Sequence, residues 1–227
     1  MIAPSKLKAA ERLYYLLGAL FIAALLTCNL IANKFVSVDL GFKTFTISAG
    51  VLPYPITFLI TDILSELYGR KRTTQVVLSG FFASAFVLFI LWLGAQFPAI
   101  EGSPVSDAVY NQVFQNSWRI IAASMTAYLV AQLVDVRLFH FWKNLTRGKH
   151  LWIRNNFSTI LSQLVDTVLV VVVLFIGTLP WSTMGSYIFD GWLFKVIAAI
   201  GDTALIYAFM AWARYFFKLQ HGEEIRL

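Results

Sequence analysis

The sequence predicts an all-α polytopic membrane protein of six transmembrane helices with both termini cytoplasmic, and three observations predict it. Of the 227 residues, 59% are hydrophobic and 13% charged, against about 45–50% and about 25% in an ordinary soluble domain. A chain of this size cannot hide that much apolar surface in a water-facing fold. The apolar residues gather in six runs, each close to the roughly 20 residues a helix needs to cross the hydrocarbon core. Basic residues crowd into every second connection between those runs, as cytoplasmic loops do.

The runs are 13–32, 51–68, 76–97, 118–142, 157–179 and 192–217. The first follows Lys6, Lys8 and Arg12 and so resembles a secretory leader. It ends in Leu-Leu-Thr-Cys, without the small residue a lipoprotein cleavage site prefers before cysteine, and five more runs follow. It is expected to stay as the first helix. Between runs one and two, Phe35–Ile47 alternates around Gly41, which predicts a short β-hairpin at the outer interface. The second run is the least apolar because it contains Asp62 and Glu66. After the third comes a loop with Pro98, Gly102 and Pro104, then a short interfacial helix predicted over Val105–Phe114.

The connections fix the orientation. Basic clusters sit in the N-terminal tail, at Arg70-Lys71-Arg72, at Lys143, Arg147, Lys149 and Arg154, and after run six at Arg214, Lys218 and Arg226. The 98–117 loop has Glu101 and Asp107 and no basic residue, 180–191 has only Asp190, and 33–50 is mixed. An odd number of helices would break this alternation. No soluble domain or low-complexity stretch interrupts the chain, so a single domain over 1–227 is expected.

The same counts exclude several classes. The net charge of +6 comes from short loop clusters and not from a continuous basic face, so nucleic acid is not the partner. Cys28 is alone, which excludes an intramolecular disulfide. His140, His150 and His221 do not share a metal-ligand spacing. The AIGD at 199–202 is half of an intramembrane aspartyl protease signature with no partner motif, so an enzyme is not expected.

Four acids fall inside the runs: Asp62, Asp135, Asp166 and Asp202. Each charged Asp at a helix centre costs roughly 2.5–3.5 kcal/mol, so such residues must be paired, protonated or facing water, and they mark pathways and sites. Counted at about 1.5 Å per residue, Asp62, Asp135 and Asp166 all lie roughly 9–14 Å from the cytoplasmic boundary, with Asp202 nearer the midplane. They form a layer. Polar neighbours share their helix faces: Glu66 with Asp62, Gln132 with Asp135, Ser162 and Gln163 with Asp166, and Lys195 with Asp202. AQLVD (131–135) and SQLVD (162–166) are near copies that can each present a Gln–Asp pair to a common cavity. Three helices per half would make any internal repeat an inverted one. Structural readings compete at several positions. Asp135 has Arg137 and Lys143 close by for an ion pair, Glu66 can reach toward Arg70 or Arg72, Lys195 can snorkel outward, and Asn29 can join helices. Asp62 and Asp166 are the hardest to explain structurally.

The run LPYPITFLITDILSELYGRKR (52–72), preceded by NLIANKFV (29–36) and followed by RNNFSTILSQLVDTVLVVVVLFIG (154–177), closely resembles the queuosine precursor transporter family, also called the vitamin uptake transporter family. The resemblance covers nearly the whole chain. It implies import of 7-cyano-7-deazaguanine and its 7-aminomethyl relative across the inner (plasma) membrane, with no cofactor. The family's motif positions map here to Asn29, Asn33, Lys34, Thr57, Thr61, Asp62, Glu66, Tyr68 and Gly69, then Asn155, Ser158, Thr159, Ser162, Gln163, Asp166 and Thr167. Gln132, Asp135 and Asp202 join them as candidates through their depth. A guanine-like edge carries adjacent N–H and NH₂ donors that one carboxylate accepts together. Asp166 or Asp62 is expected to clamp that edge, with Gln163 and Asn33 completing it. The expected partners are this small molecule and the lipid bilayer, and a homodimer is compatible with so small a bundle. The alternative is a substrate-binding membrane subunit for another vitamin-like solute, working with a separate ATPase.

Overall fold

A computed structural model describes residues 4–32, 34–114 and 118–227. Helix α1 (Pro4–Leu30) leads into strands β1 (Phe35–Asp39) and β2 (Thr44–Ser48), followed by a 3₁₀ turn, Ala49–Val51. Helices α2 (Tyr54–Ala95), α3 (Asp107–Phe114), α4 (Trp118–Leu145), α5 (Leu151–Phe175) and α6 (Trp181–Phe217) complete the chain. The expected hairpin is present: β1 and β2 pair antiparallel, Phe35 opposite Ser48 and Asp39 opposite Thr44. Gly41 turns between them at φ 83°. The short helix also forms, as α3.

Helix α2 is two rods. Gly69 breaks it with φ 76° and ψ 173°, a conformation that only glycine adopts without strain. The chain reverses there, since the Ser65 and Thr73 hydroxyls lie 3.4 Å apart, whereas residues eight apart on a straight helix are separated by about 12 Å. The loop expected after residue 68 is thus reduced to one residue. The limb 54–68 and the limb 70–95 then run in opposite directions.

Contacts along the rods fix the remaining directions. Tyr68 donates to the Ala10 carbonyl (2.7 Å) and Tyr14 to that of Arg72 (3.2 Å). A Cβ on Gly80 would meet the Phe21 ring and the Tyr128 hydroxyl at 2.8 Å. Helix α1 therefore runs parallel to limb 70–95, and the missing Cβ lets α1 and α4 close on it. Tyr128 donates to Val77 O at 2.8 Å. Among the described residues, six rods alternate in direction around a core that includes Phe21, Leu25, Leu64, Leu67, Val77, Phe139 and Ile206.

Four helical stretches among the described residues are long and apolar enough to cross a membrane: Lys6–Leu30, Ala49–Ala95, Leu151–Val173 and Trp181–Phe217. Limb 70–95 turns Phe82, Phe86, Phe89 and Leu93 outward, a contiguous apolar face that a soluble monomer rarely exposes.

Two helix boundaries differ from expectation for physical reasons. Helix α5 begins at Leu151, six residues before the predicted run, because Arg154 and Asn155 are buried inside the bundle and a hydropathy count stops at them. Helix α6 begins at Trp181, so the expected 180–191 loop is helical. There Asp190 pairs with Lys43 at 2.5 Å, tying α6 to the hairpin connection.

Candidate functional site

The polar faces of limb 54–68, α4 and α5 meet in the middle of the bundle. Thr57, Thr61, Asp62, Gln132, Asp135, Asn155, Ser158, Thr159, Ser162, Gln163, Asp166 and Thr167 are all buried there. The i, i+3, i+4 spacing that places each residue's neighbours on its own helix face also turns these three stripes inward together. Limb 54–68 and α4 run parallel, with α5 antiparallel between them, so AQLVD and SQLVD face each other.

The centre is a pair of carboxyls. Asp62 and Asp135 adjoin each other. Ser162 donates to Asp135 Oδ1 at 2.9 Å and Thr159 to Asp62 Oδ2 at 3.3 Å. Gln132 donates its amide to Thr57 Oγ1 at 3.4 Å. Among the described residues, Gln132 Oε1 and Gln163 Oε1 have no hydrogen-bond partner, and Asp62 Oδ1 and Asp135 Oδ2 have none beyond the facing carboxyl. A buried polar atom without a partner costs about 1–3 kcal/mol. The two amide oxygens are acceptors that no group of the chain satisfies and that a bound donor or an ordered water would. Thr61 is different: its hydroxyl is spent on the Thr57 and Phe58 carbonyls of its own helix.

An ion-pair cluster closes each side of the layer. On the side of residue 54, Asp166 accepts from Lys195 Nζ at 2.5 Å and from the Tyr54 hydroxyl at 3.0 Å. Lys195 also donates to Thr167 at 3.1 Å and lies over the Tyr54 ring. On the side of residue 69, Glu66 takes two bonds from Arg154, at 3.0 Å from Nε and 2.5 Å from Nη2. Arg214 reaches it at 3.2 Å and Lys143 at 3.7 Å. Arg154 is wholly buried, and its third nitrogen donates to the Gly148 and Lys149 carbonyls. The chain's last residues seal this end. Lys143 pairs with Glu224 at 2.9 Å, the Ile225 N–H bonds Leu67 O at 2.6 Å, and Ile225 is buried.

These contacts revise several sequence expectations. Asp135 pairs with neither Arg137 nor Lys143 but faces Asp62 and Ser162. Glu66 turns away from Arg70 and Arg72 because the reversal at Gly69 aims it at α5 and α6. Lys195 points inward onto Asp166, so it neither snorkels nor serves Asp202. Asp166, expected to clamp a ligand, already holds a cation. Asp202 is half-buried on α6.

Asn29 and Lys34 are not brought to the layer. Asn29 lines a small cleft with Leu26, Ser84, Leu88 and Leu91 at the far end of α1, and Lys34 is exposed. Asn33 lies outside the described residues. Tyr68 and Gly69 shape the turn. Sequence reasoning missed Tyr54, Arg154, Arg214 and Glu224 as partners. Arg154 was legible only in part, as a basic residue counted with a loop.

Comparison with known proteins gives a consistent result. The family model described as "Putative vitamin uptake transporter" matches residues 48–209. The "Probable queuosine precursor transporter" of Bacillus subtilis (strain 168) is 28% identical over 167 residues, 73% of this chain and 72% of that protein. The protein of the same name from Haemophilus influenzae is 25% identical over 66% of this chain and 63% of its own length. The "Queuosine precursor transporter" of Escherichia coli (strain K12) is 22% identical, over 74% and 75%. No solved structure matches the chain. The family and all three relatives are named as transporters.

Proposed function

The chain belongs to the vitamin uptake transporter family, and from that premise we propose that it imports queuosine precursors, 7-cyano-7-deazaguanine and 7-aminomethyl-7-deazaguanine, into the cytoplasm. It would do so as a single six-helix domain in the inner membrane with both termini inside. The alternating rods and the basic connections at the 69–72 and 143–154 turns support that topology. The observation that carries the substrate reading is the buried polar layer on three helices, in which the amide oxygens of Gln132 and Gln163 have no partner. A deazaguanine base is planar and rich in N–H donors, and it enters such a layer with its hydrogen bonds satisfied. A substrate lacking those donors would leave the acceptors stranded, which is how buried polar sites discriminate.

The layer is packed shut, so a base reaches it only when the rods part. Binding sites of secondary transporters lie between two closures that open in turn. The two ion-pair clusters are placed for those roles. Asp166–Lys195–Tyr54 closes the outer side, and Glu66 with Arg154, Arg214, Lys143 and the C-terminal tail closes the cytoplasmic side. Each is a set of charged bonds strong enough to hold a closed state yet made of discrete contacts that can exchange.

The test is uptake of labelled 7-cyano-7-deazaguanine by cells that lack their own importer and biosynthesis and express this chain. Uptake that is lost in a stably inserted Asp62→Ala, Asp135→Ala double variant is the expected result. No uptake by the well-inserted intact chain refutes the substrate, and uptake that depends on a co-expressed ATPase assigns the chain to a multisubunit importer.

A further inference from the structure

Resting on the transport reading above, we infer that residues 218–227 are a strap across the cytoplasmic closure and its moving part. The strap must lift off the α2 reversal each time substrate is released, while its other end stays on the α4–α5 turn.

The strap begins where α6 ends. Lys218 turns the chain in the left-handed region at φ 58°, and the Gln220 N–H donates to Glu223 Oε2 at 2.9 Å. From there its contacts cross two groups of helices in order. Gly222 packs on Gly148 so closely that a Cβ on either would lie 3.0–3.1 Å from the other's Cα. Glu224 pairs with Lys143 of α4 at 2.9 Å. Ile225 then donates its N–H to the Leu67 carbonyl at 2.6 Å, and the Leu227 carbonyl accepts from Arg72 Nη2 at 2.9 Å. Residues 222 and 224 therefore hold the α4–α5 side, and residues 225 and 227 hold the reversal of α2 around Gly69. Glycine at 69 admits the strap, since a Cβ there would strike the Glu224 carboxylate.

That placement forces movement. The polar layer lies between limb 54–68 on one side and α4 with α5 on the other, so a base leaves toward the cytoplasm only when these sides part. Glu224 and Ile225 are neighbours, about 3.8 Å apart at Cα. A strap bonded to one side at 224 and to the other at 225 has no slack to follow a gap wide enough for a bicyclic base. One grip must let go, and the two are unequal. The α4–α5 grip has an ion pair and a backbone-on-backbone contact. The α2 grip has two hydrogen bonds and one buried side chain, Ile225, and no ion pair. Such a small set of discrete contacts breaks and re-forms as a unit, at the low-stability end of a fold, as the moving parts of closures do.

The experiment follows the reaction of full-length Ile225→Cys with a membrane-impermeant maleimide in inside-out vesicles, with and without 7-cyano-7-deazaguanine. Cys28 is buried, and the parent chain supplies the blank. Substrate should raise the labelling rate about tenfold or more, as the lifted strap goes from a minor to a well-populated state. Two cysteine pairs then lock one grip each with a short, cleavable bifunctional thiol reagent, each read in cells against its own unbridged form. Bridging Arg72→Cys to Leu227→Cys should abolish uptake, and reductive cleavage should restore it. Bridging Lys143→Cys to Glu224→Cys should leave uptake in place. A labelling rate that substrate does not raise overturns the inference, as does undiminished uptake by the chain bridged between 72 and 227. No uptake by the intact, well-inserted chain refutes the transport reading itself.

Discussion

Removing Glu66 should destabilise the protein more than removing Arg154, although the two form one ion pair. The cluster holds three cations, Arg154, Lys143 and Arg214, against two acids, Glu66 and Glu224. Arg154→Met leaves two cations and two acids. Its loss removes bonds to Glu66 and to the Gly148 and Lys149 carbonyls, but Glu66 keeps Arg214 and Lys143, and the turn carbonyls can turn to water. The expected cost is about 1–3 kcal/mol. Glu66→Gln leaves three cations and one acid, with Arg154 buried and uncompensated, a situation that costs about 3–5 kcal/mol. At about 2–4 °C per kcal/mol for a chain of this length, Glu66→Gln should lower the unfolding midpoint by roughly 6–20 °C. Scanning fluorimetry of both variants in the same detergent measures it. Equal midpoints, or a larger loss for Arg154→Met, would refute the charge count.

Three further outcomes follow from single contacts. Gly69→Ala places a side chain at φ 76° with its Cβ against the Glu224 carboxylate. It should cost at least about 1–2 kcal/mol and loosen the tail, read by faster hydrogen exchange at Ile225, and unchanged exchange there would count against it. Ile225→Ala empties a buried position in the tail and should expose residues 219–227 to carboxypeptidase, whereas Glu224→Gln, at a side chain 41% exposed, should shift stability by less than about 1 kcal/mol. Lys195→Met strands the buried Asp166 carboxylate and should lower the unfolding midpoint, while the double variant Lys195→Met, Asp166→Asn should recover most of the loss; a double variant no better than the single one sinks the pairing.

The sequence determined the solvent, the elements and the polar layer. Apolar content and run length demand a bilayer, alternating basic connections give the rods their directions, and Phe35–Ile47 reads as a hairpin from its period of two. These are local properties, whereas the common depth counted for Asp62, Asp135 and Asp166 does not hold: α5 begins at Leu151, Asp62 meets Thr159, and Asp166 lies two turns further along, beside Tyr54. Pairing was decided only by tertiary structure. Glu66 lies four residues from Arg70 in sequence, yet its partners are 77, 88 and 148 positions away. The reversal at Gly69 and the crossing of α5 and α6 set that choice. Likewise Asp135 looks like one half of a local ion pair until α5 brings Ser162, and limb 54–68 brings Asp62, to its face. Which carboxyl meets a cation and which meets hydroxyls and another carboxyl depends on how separate helices rotate against one another. Helical periodicity fixes which residues share a face, but the packing of neighbouring helices decides what that face meets.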